Sequence, residues 1–327
     1  MTADSTTFSR RTLLAAAGTG AAAAAMGGQV NISHAAAEML GASRPTHFRF
    51  KLGAFEVTTI LDGAIQVPTV NKIFGQDQKE EDVKALMAAN HLPGDKMEIG
   101  FTPVVVNTGK EVVLFDAGNG AARRPKAGNL LVALRQAGYA PESIDVVALT
   151  HFHPDHIGGL MEDGKPAFPN ARYVAGEAEY NFWTKPGMDE GPLARVGKLA
   201  YSNVKPLAEK MSFVKPGQDA SPGITAVDAF GHTPGHTGYH IEGGSSRLLL
   251  MADACNHYVA SMQRPDWHVK FDMDKAAAGA TRKKLLDMAA ADKILLAGYH
   301  MPFPAVGYVD RRDVGYSWVP VTYQLSF

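Results

Sequence analysis

The chain has little cysteine and no surplus of positive charge, and each shortage excludes a class of protein. Cys255 is the single cysteine in 327 residues, so an intrachain disulfide and a cysteine-rich zinc ribbon are both excluded. Lys and Arg total 32 against 33 Asp and Glu, and the absence of a basic stripe argues against a nucleic-acid partner. With 46% hydrophobic and 20% charged residues, the composition is that of a globular protein with a sizeable core.

A long hydrophobic run is also missing. The most apolar stretch is an Ala/Gly-rich segment near the N-terminus, and its polar interruptions disfavour a membrane anchor, which needs roughly 18 consecutive apolar residues. Arg10 and Arg11 precede this segment, and Ala35-Ala36-Ala37 offers a cleavage site. The pattern predicts a twin-arginine signal peptide at residues 1–37 and a mature chain of 38–327. We therefore expect the twin-arginine export machinery as a partner and a periplasmic or secreted location, although an alanine-rich tail is the alternative.

Histidine is present in a pattern that indicates a metal-binding site. His151, His153, Asp155 and His156 fall within six positions. Imidazole and carboxylate groups are the usual protein ligands of Zn²⁺ and similar ions. In an extended or turning segment His151 and His153 point the same way and can bind one metal, while Asp155 and His156 can face a second. The alternative is a polar loop in which these residues cluster by chance.

The cluster begins where a predicted buried strand, residues 145–150, ends. Three further predicted strands, at 224–230, 247–251 and 294–297, each end just before another candidate ligand. Functional loops in layered folds gather at strand ends. We therefore expect four loops to supply seven metal ligands: His151, His153, Asp155, His156, His232, Asp253 and His300.

The rest of the pattern predicts one compact domain of two similar β-α halves. Residues 55–61 read as a strand that ends at an Asp62-Gly63 turn, and residues 76–92 read as a surface helix or lid. Residues 184–216 are rich in Gly, Pro and Lys and are interpreted as a long insertion that contributes to a substrate-binding face.

Seven such ligands would leave a water position at each of two divalent ions, which is an open, catalytic arrangement. Asp253 could bridge the ions, and a hydroxide held between them would be the nucleophile, since a metal lowers the pKa of water from ~15.7 towards ~7. Asp155 could act as a ligand alone or also as the proton donor to the leaving group. Zn²⁺ is the expected ion, with Mn²⁺, Fe²⁺ and Co²⁺ as alternatives, because loading also follows metal availability.

The His-x-His-x-Asp-His motif, the Gly231-His232-Thr233-Pro234-Gly235-His236 loop, a strand-end Asp and a late His resemble the metallo-β-lactamase-fold hydrolases. The resemblance implies an α+β fold, the four-layer αββα sandwich, with its metal site at one edge. It also assigns the ligands: His151, His153 and His232 to one ion, Asp155, His156 and His300 to the other, and Asp253 as the bridge.

Within that superfamily the chain is most similar to the methyl parathion hydrolase-like lactonases and aryl esterases. The similarity is carried by His300-Met301-Pro302-Phe303-Pro304, by Phe182-Trp183 and by the tail from Gly315 to Tyr323. It implies a substrate contact at Trp183. The loop of residues 116–123 lacks the aromatic residue of those enzymes, and Asn256-His257-Tyr258 replaces aliphatic residues, so Asn256 and His257 are candidate substrate contacts.

Together these patterns predict an exported dinuclear hydrolase with Asp155 and Asp253 as catalytic residues. A small lactone or aryl ester is the favoured substrate, ahead of organophosphate triesters. The alternatives are a non-enzymatic metal-binding or partner-binding protein on the same fold and a thioesterase-type member. His153 argues against the oxygen-reducing diiron members, which carry Glu at that position. A homodimer is a family expectation.

Overall fold

Short runs of valine, isoleucine and leucine form most of the strands in the computed structural model, which describes residues 38–322. The predicted signal peptide and Tyr323 lie outside the described residues. The strands are β1 His47–Leu52, β2 Phe55–Ile60, β3 Gly63–Pro68, β4 Lys96–Phe101, β5 Val104–Asn107, β6 Val112–Phe115, β7 Val146–Ala148, β8 Met161–Glu162, β9 Lys165–Pro166, β10 Arg172–Gly176, β11 Met211–Val214, β12 Asp219–Ser221, β13 Ile224–Asp228, β14 Thr237–Gly243, β15 Ser246–Leu250, β16 Leu295–Ala297, β17 Val306–Arg311 and β18 Tyr316–Pro320.

The helices have ten residues or fewer, apart from the last, which has 18. They are α1 Glu80–Ala89, α2 Leu130–Gln136, α3 Pro154–Ile157, α4 Glu177–Thr184, α5 Ala194–Asn203, α6 Ala260–Gln263 and α7 Lys275–Asp292. Asp274 caps α7 by accepting a hydrogen bond from the Ala277 backbone N–H, and Lys293 ends it in a left-handed conformation. No helix within residues 38–322 is long and apolar enough to cross a membrane.

The strands build two seven-stranded sheets. The first has the order β1-β2-β5-β6-β7-β10-β11, and the second runs from β12 to β18 in sequence order. β6, β7, β10 and β11 are parallel, as are β15 and β16. β13 also runs in the direction of β15, because each is antiparallel to β14. The loops that follow β6, β7, β13, β15 and β16 therefore open from the carboxyl ends of parallel strands.

The side chains along the inner strands of the two seven-stranded sheets alternate between the core that separates the two sheets and the core beneath the covering helices. In β5, Val104 and Val106 join the core between the sheets, whereas Val105 faces the helices that cover the first sheet. In β15, Leu249 instead contacts the core beneath α7. Side chains of a strand alternate between its two faces, so both faces of these strands are buried. The predicted four-layer αββα sandwich is confirmed.

The region after β2 differs from the prediction. Asp62 is fully buried, and Gly63 begins β3, so the predicted Asp-Gly turn is wrong. The Asp62 carboxylate accepts backbone hydrogen bonds from residues 119, 128 and 130, at 3.0, 3.1 and 2.7 Å. Those long-range donors satisfy the buried charge and hold the loop after β6, which a local turn signal cannot reveal.

Residues 76–92 contain helix α1, as predicted, and its buried face packs Val83, Leu86 and Met87 into a small core with the two-stranded sheet of β3 and β4. The segment of residues 184–216, which was predicted to be a long insertion, contains regular secondary structure. It contains α5 and ends in β11, which extends the first sheet by pairing in parallel with β10. Its Gly and Pro residues mark the breaks between short elements, which composition alone does not resolve.

Candidate metal centre

Loops from both sheets meet at one edge and bring the predicted ligands together. The loop after β7 carries two of them before α3 and two within it, while loops after β13, β15 and β16 supply the other three. Two groups have candidate ligand atoms that lie within 4.8 Å of one another: His151, His153, His232 and Asp253 in the first group, and Asp155, His156 and His300 in the second.

Three imidazoles and one carboxylate surround the centre of the first group. His153 Nδ1 lies 3.1 Å from His151 Nε2 and 2.9 Å from His232 Nε2. Asp253 Oδ2 lies 3.3 Å from His232 Nε2 and 3.8 Å from His151 Nε2. Ligand atoms of a tetrahedral zinc site, each about 2.1 Å from the ion, are about 3.4 Å apart. The spacing fits one small divalent ion.

The second group shares the same aspartate. Asp155 Oδ2 lies 3.8 Å from His156 Nε2 and 3.5 Å from His300 Nε2. Asp253 Oδ1 lies 3.5 Å from His156 Nε2, and Asp253 Oδ2 lies 3.2 Å from His300 Nε2. The Asp253 carboxylate therefore faces both groups, which is the position needed by a residue that bridges two ions.

The imidazole tautomers also suit metal binding. Four of the five histidines direct Nδ1 away from the centre to an oxygen atom 2.8 to 3.1 Å away, which leaves Nε2 facing inward. These pairs are His151 with Thr150 Oγ1, His156 with Asp116 Oδ2, His232 with Asp272 Oδ1 and His300 with Gly100 O. His153 is the exception and presents Nδ1 to the centre.

Two inward-facing atoms are buried without a hydrogen-bond partner among the described residues: His156 Nε2 and Asp253 Oδ1. Buried polar atoms are normally satisfied by protein or by water, and an orphaned lone pair beside an orphaned carboxylate oxygen is the donor set that a cation completes. These residues therefore fit divalent metal ions.

The pKa values of the residues in the centre are shifted in different directions. Burial, followed by the charge of neighbouring His232, lowers the pKa of His153 to about 3. Burial also acts to lower the pKa of His232, but Asp253 and Asp272 outweigh it and raise that pKa to about 9. Burial would raise the pKa of Asp253, yet the imidazoles of His300 and His156 hold it well below the ordinary value. The carboxylates of Asp253 and Asp272 thus favour a positive charge on His232, and that charge disfavours a second one on His153.

Asp116, at the end of β6, orders the His-bearing loop. Its Oδ1 accepts a hydrogen bond from the Thr150 backbone N–H at 2.8 Å. Its Oδ2 accepts from Thr150 Oγ1 at 2.8 Å and lies 2.8 Å from His156 Nδ1. Asp116 has a φ of 61°, an uncommon backbone conformation that these contacts hold in place. It therefore orients His156 from outside the ligand set.

Glu179, which the sequence analysis missed, joins loops from the two sheets. Its Oε1 accepts hydrogen bonds from the Phe152 N–H and from Trp183 Nε1, both at 2.8 Å. Its Oε2 accepts from Thr233 Oγ1 at 2.7 Å and from the Gly235 N–H at 3.0 Å. A Cβ on Gly235 would lie 2.0 Å from the Glu179 backbone nitrogen, so only glycine allows this approach. Through these hydrogen bonds, Glu179 holds the residues that flank His151, His153 and His232.

Asp272 and Arg282, also missed, support His232. Asp272 Oδ1 lies 2.8 Å from His232 Nδ1, and Asp272 Oδ2 accepts from an Arg282 Nη atom at 2.8 Å. Arg282 is buried and also donates to the Ala254 carbonyl at 2.8 Å, beside Asp253. A carboxylate behind a ligating histidine fixes its tautomer. Asp272 is 40 residues from His232 in sequence, so no local motif could have identified it.

His236, in the loop that carries His232, makes hydrogen bonds through both of its ring nitrogens. It donates from Nδ1 to the Ala229 carbonyl at 2.9 Å, and its Nε2 accepts from the Asp253 backbone N–H at 3.2 Å. Both nitrogens are occupied, so His236 positions the Asp253 loop and lies outside both candidate groups.

A cavity of about 200 Å³ opens on the centre, and His153, Asp155, Asp253 and His300 form part of its wall. The remaining wall is largely apolar and includes the side chains of Ile65, Phe74, Ile99, Phe101 and Phe271. A second cavity of about 530 Å³ shares Ile99, Asn256 and His300 with it.

The three predicted substrate contacts occupy different places. Asn256 lines both cavities, and it is 5% exposed with neither side-chain atom hydrogen-bonded to a described residue. His257 lines only the second cavity, and its Nδ1 accepts hydrogen bonds from two backbone N–H groups. Trp183 is fully buried, bonded to Glu179, with its ring 6.3 Å from that of His153. The expected substrate contact at Trp183 is corrected: the residue packs behind a ligand and has no surface to offer.

Comparison with known proteins agrees with this geometry. The Metallo-beta-lactamase superfamily profile matches residues 102–298. An N-acyl homoserine lactonase from Bacillus cereus is 25% identical over 155 residues, which are 47% of this chain and 56% of that protein. The chain thus spans little more than half the length of this curated relative.

Two solved structures align over more of the chain. AidC, a dizinc quorum-quenching lactonase in complex with the product N-hexanoyl-L-homoserine, has a TM-score of 0.77 and 26% identity, with 84% of this chain and 97% of that chain covered. The hydrolase AbOPH has a TM-score of 0.80 and 25% identity, with 86% and 99% covered.

Replacing Asp272 by Asn is expected to weaken metal binding about 10- to 100-fold, because the neutral amide no longer fixes the His232 tautomer. Competition with a chromophoric chelator measures the affinity. Asp313→Asn, at an exposed position, is the matched control and should bind like the parent protein. An unchanged affinity in an Asp272→Asn protein that melts normally would contradict this role.

Proposed function

The chain belongs to the metallo-beta-lactamase superfamily, and we propose that it is a dinuclear metal-dependent hydrolase of small lactones and aryl esters. The observation that carries the proposal is the Asp253 carboxylate, which faces an imidazole of one group at 3.3 Å and an imidazole of the other at 3.5 Å. A carboxylate in that place serves two ions at once.

The proposed ligands follow the two groups of side chains. One ion takes three imidazoles, the other takes two imidazoles and a carboxylate, and Asp253 joins them. The sets are His151, His153 and His232 for the first ion, and Asp155, His156 and His300 for the second. Zn²⁺ is the proposed ion, since imidazole-rich sites with a small number of carboxylates suit it.

When bound, the ions supply Lewis acidity and water activated for attack at neutral pH. The side chains do the remaining work. Asp253 fixes the spacing of the two groups through both its oxygens. Asp155 lines the cavity with its carboxylate 15% exposed, and we assign to it the relay of a proton from the attacking water to the departing alcohol oxygen. Asn256 turns an unpaired amide towards the same space, where it can hold a substrate carbonyl.

The cavity supports a lactone or aryl ester as the substrate class. Its volume of about 200 Å³ suits a small molecule, and its aromatic and aliphatic wall favours an acyl or aryl portion. AidC, which resembles this chain in fold and sequence, is a lactonase with a bound homoserine product. The same reaction class is the economical proposal here.

Replacement of His151 or His232 by Ala is expected to reduce kcat/KM for a good aryl ester by at least about a thousandfold, because each removes a ligand. The assay is a panel of lactones, aryl esters and phosphotriesters with the mature protein. His240→Ala, on β14 and outside both groups, is the control. Full turnover by either ligand variant would overturn the mechanism, and a parent protein that binds metal but hydrolyses nothing in the panel would favour a non-enzymatic role.

Metal analysis of the reconstituted protein is expected to give about two divalent ions per chain, because seven ligand groups, the shared carboxylate included, are more than one tetrahedral ion can use. Inductively coupled plasma mass spectrometry after removal of excess Zn²⁺ measures the ratio. His300→Ala should lower it towards one, since it removes a ligand of the second group alone. A single firmly bound ion in the parent protein would reject the dinuclear proposal.

We also propose export by the twin-arginine route, which rests on Arg10 and Arg11 before the weakly apolar segment. Exchange of both residues for Lys keeps the charge but removes the paired guanidinium groups, so the full-length protein should remain inside the cell. Cell fractionation followed by immunoblotting measures the location. The same exchange at Arg311 and Arg312 is the control, and unchanged export of the Arg10→Lys/Arg11→Lys chain would contradict the proposal.

A further inference from the structure

The cavity beside the metal centre contains two guanidinium groups that no described residue neutralises. Arg123 lies after β6 with its guanidinium carbon 5.3 Å from the centre of the Phe101 ring, and Arg195 lies at the start of α5. Both line the cavity of about 200 Å³. The only carboxylates in the wall are Asp155 and Asp253, and both face the imidazoles of the candidate metal centre.

The lack of partners sets these arginines apart. Among the arginines of residues 38–322, every other guanidinium makes a hydrogen bond or an ion pair with a described residue. Arg124, adjacent to Arg123, makes two contacts of 2.7 and 3.0 Å with the Glu162 carboxylate. The two arginines without such a contact come from distant parts of the chain and line the same cavity. Their common location in the cavity wall therefore does not result from their being neighbours in the sequence.

A third group in the cavity wall also lacks a partner. Asn256 is 5% exposed, and its amide nitrogen and its carbonyl oxygen make no hydrogen bond with a described residue. Leaving a buried amide unpaired is unfavourable, so an unpaired amide in a cavity wall indicates a polar ligand. The cavity therefore has an apolar wall, a neutral hydrogen-bonding group and two cationic groups.

We propose that the substrate is an ester or lactone that carries a carboxylate, which binds to Arg123 and Arg195 while its apolar portion contacts the aromatic wall. The inference rests on the proposed hydrolase function and narrows its substrate class. Guanidinium groups pair with carboxylates through parallel charge-assisted hydrogen bonds. A partly enclosed, apolar wall screens such a pair less than open solvent does. Two cations beside the cavity also attract anionic substrates from solution.

The test compares two 4-nitrophenyl esters with the metal-loaded mature enzyme. The 4-nitrophenyl monoester of glutaric acid has a free carboxylate, and its methyl ester is the neutral match. The leaving group is the same, so the ratio of their kcat/KM values reports recognition of charge. We expect a ratio of about tenfold in favour of the anion, expressed mainly in KM, because charge-assisted hydrogen bonds are of that strength. A second pair, 4-acetoxybenzoate and 4-acetoxybenzamide, places the charge on the alcohol portion.

Variants assign the preference to the two residues. Arg123→Gln and Arg195→Gln should each lower the ratio severalfold, and the double variant should bring it to about one. Arg123→Lys should retain part of the preference, since it keeps the charge but loses the planar fork. The controls remove exposed cations outside the cavity wall: Arg135→Gln on α2 and Lys198→Gln on α5 should leave both the activity and the ratio unchanged. A higher salt concentration should reduce the ratio of the parent enzyme.

The possible failures are distinguishable. A ratio near one for both ester pairs, in an enzyme that hydrolyses the neutral esters, overturns the carboxylate inference and leaves the hydrolase function intact. A preference for the anion that survives in the double variant also overturns it, because the charge is then recognised elsewhere. Absence of turnover of every ester and lactone, charged or neutral, rejects the proposed function and the inference with it.

Discussion

The candidate centre depends on one buried carboxylate. Asp253 is almost inaccessible to solvent, and its two oxygens approach imidazoles from loops of both sheets. A charge in that position is costly unless opposite charge or donors surround it. The imidazoles gathered around it come from separate strand-end loops. The αββα sandwich places those loops at one edge, and Asp253 gives them a common partner.

A second layer of buried acids surrounds this arrangement. Asp116, Glu179 and Asp272 each accept hydrogen bonds from the loops that carry the ligands. Each is buried, so its donors both satisfy it and are held by it. Glu179 is attached to the helix layer, and Asp272 is held by Arg282 from α7. The outer helices thus fix the ligand loops, which gives them the rigidity that a preorganised site needs.

The cavity adds specificity to chemistry that the superfamily shares. In the proposed function the metal ligands provide for the activation of water, while the wall selects the molecule that is placed beside it. Apolar residues from β3, β4 and the segment before α7 contact the same space as two arginines and an unpaired amide. The proposed hydrolysis of an ester or lactone creates a carboxylate, so a cationic wall would also stabilise the charge on the product.

Much of the fold and all seven candidate ligands could be predicted from the sequence, because both signals are local. Alternating apolar residues define a strand, and a His or Asp after a strand must lie at the end of a sheet. The turn at Asp62-Gly63 and the substrate contact at Trp183 were wrong, because the partners of Asp62 and the burial of Trp183 depend on residues distant in sequence. For the same reason the supports from Glu179 and Asp272 were missed.

The sequence by itself therefore determined which elements form and which residues have metal-binding chemistry. Only the tertiary structure decided which acids stand behind the ligands, which residues form the wall of the cavity and which arginines lack a partner. The physical reason is distance along the chain: a hydrogen bond between Asp272 and His232 spans 40 residues and forms only when the loop after β13 and the segment before α7 are packed together. Local propensities are encoded residue by residue, whereas the electrostatics of the site belong to the assembled fold.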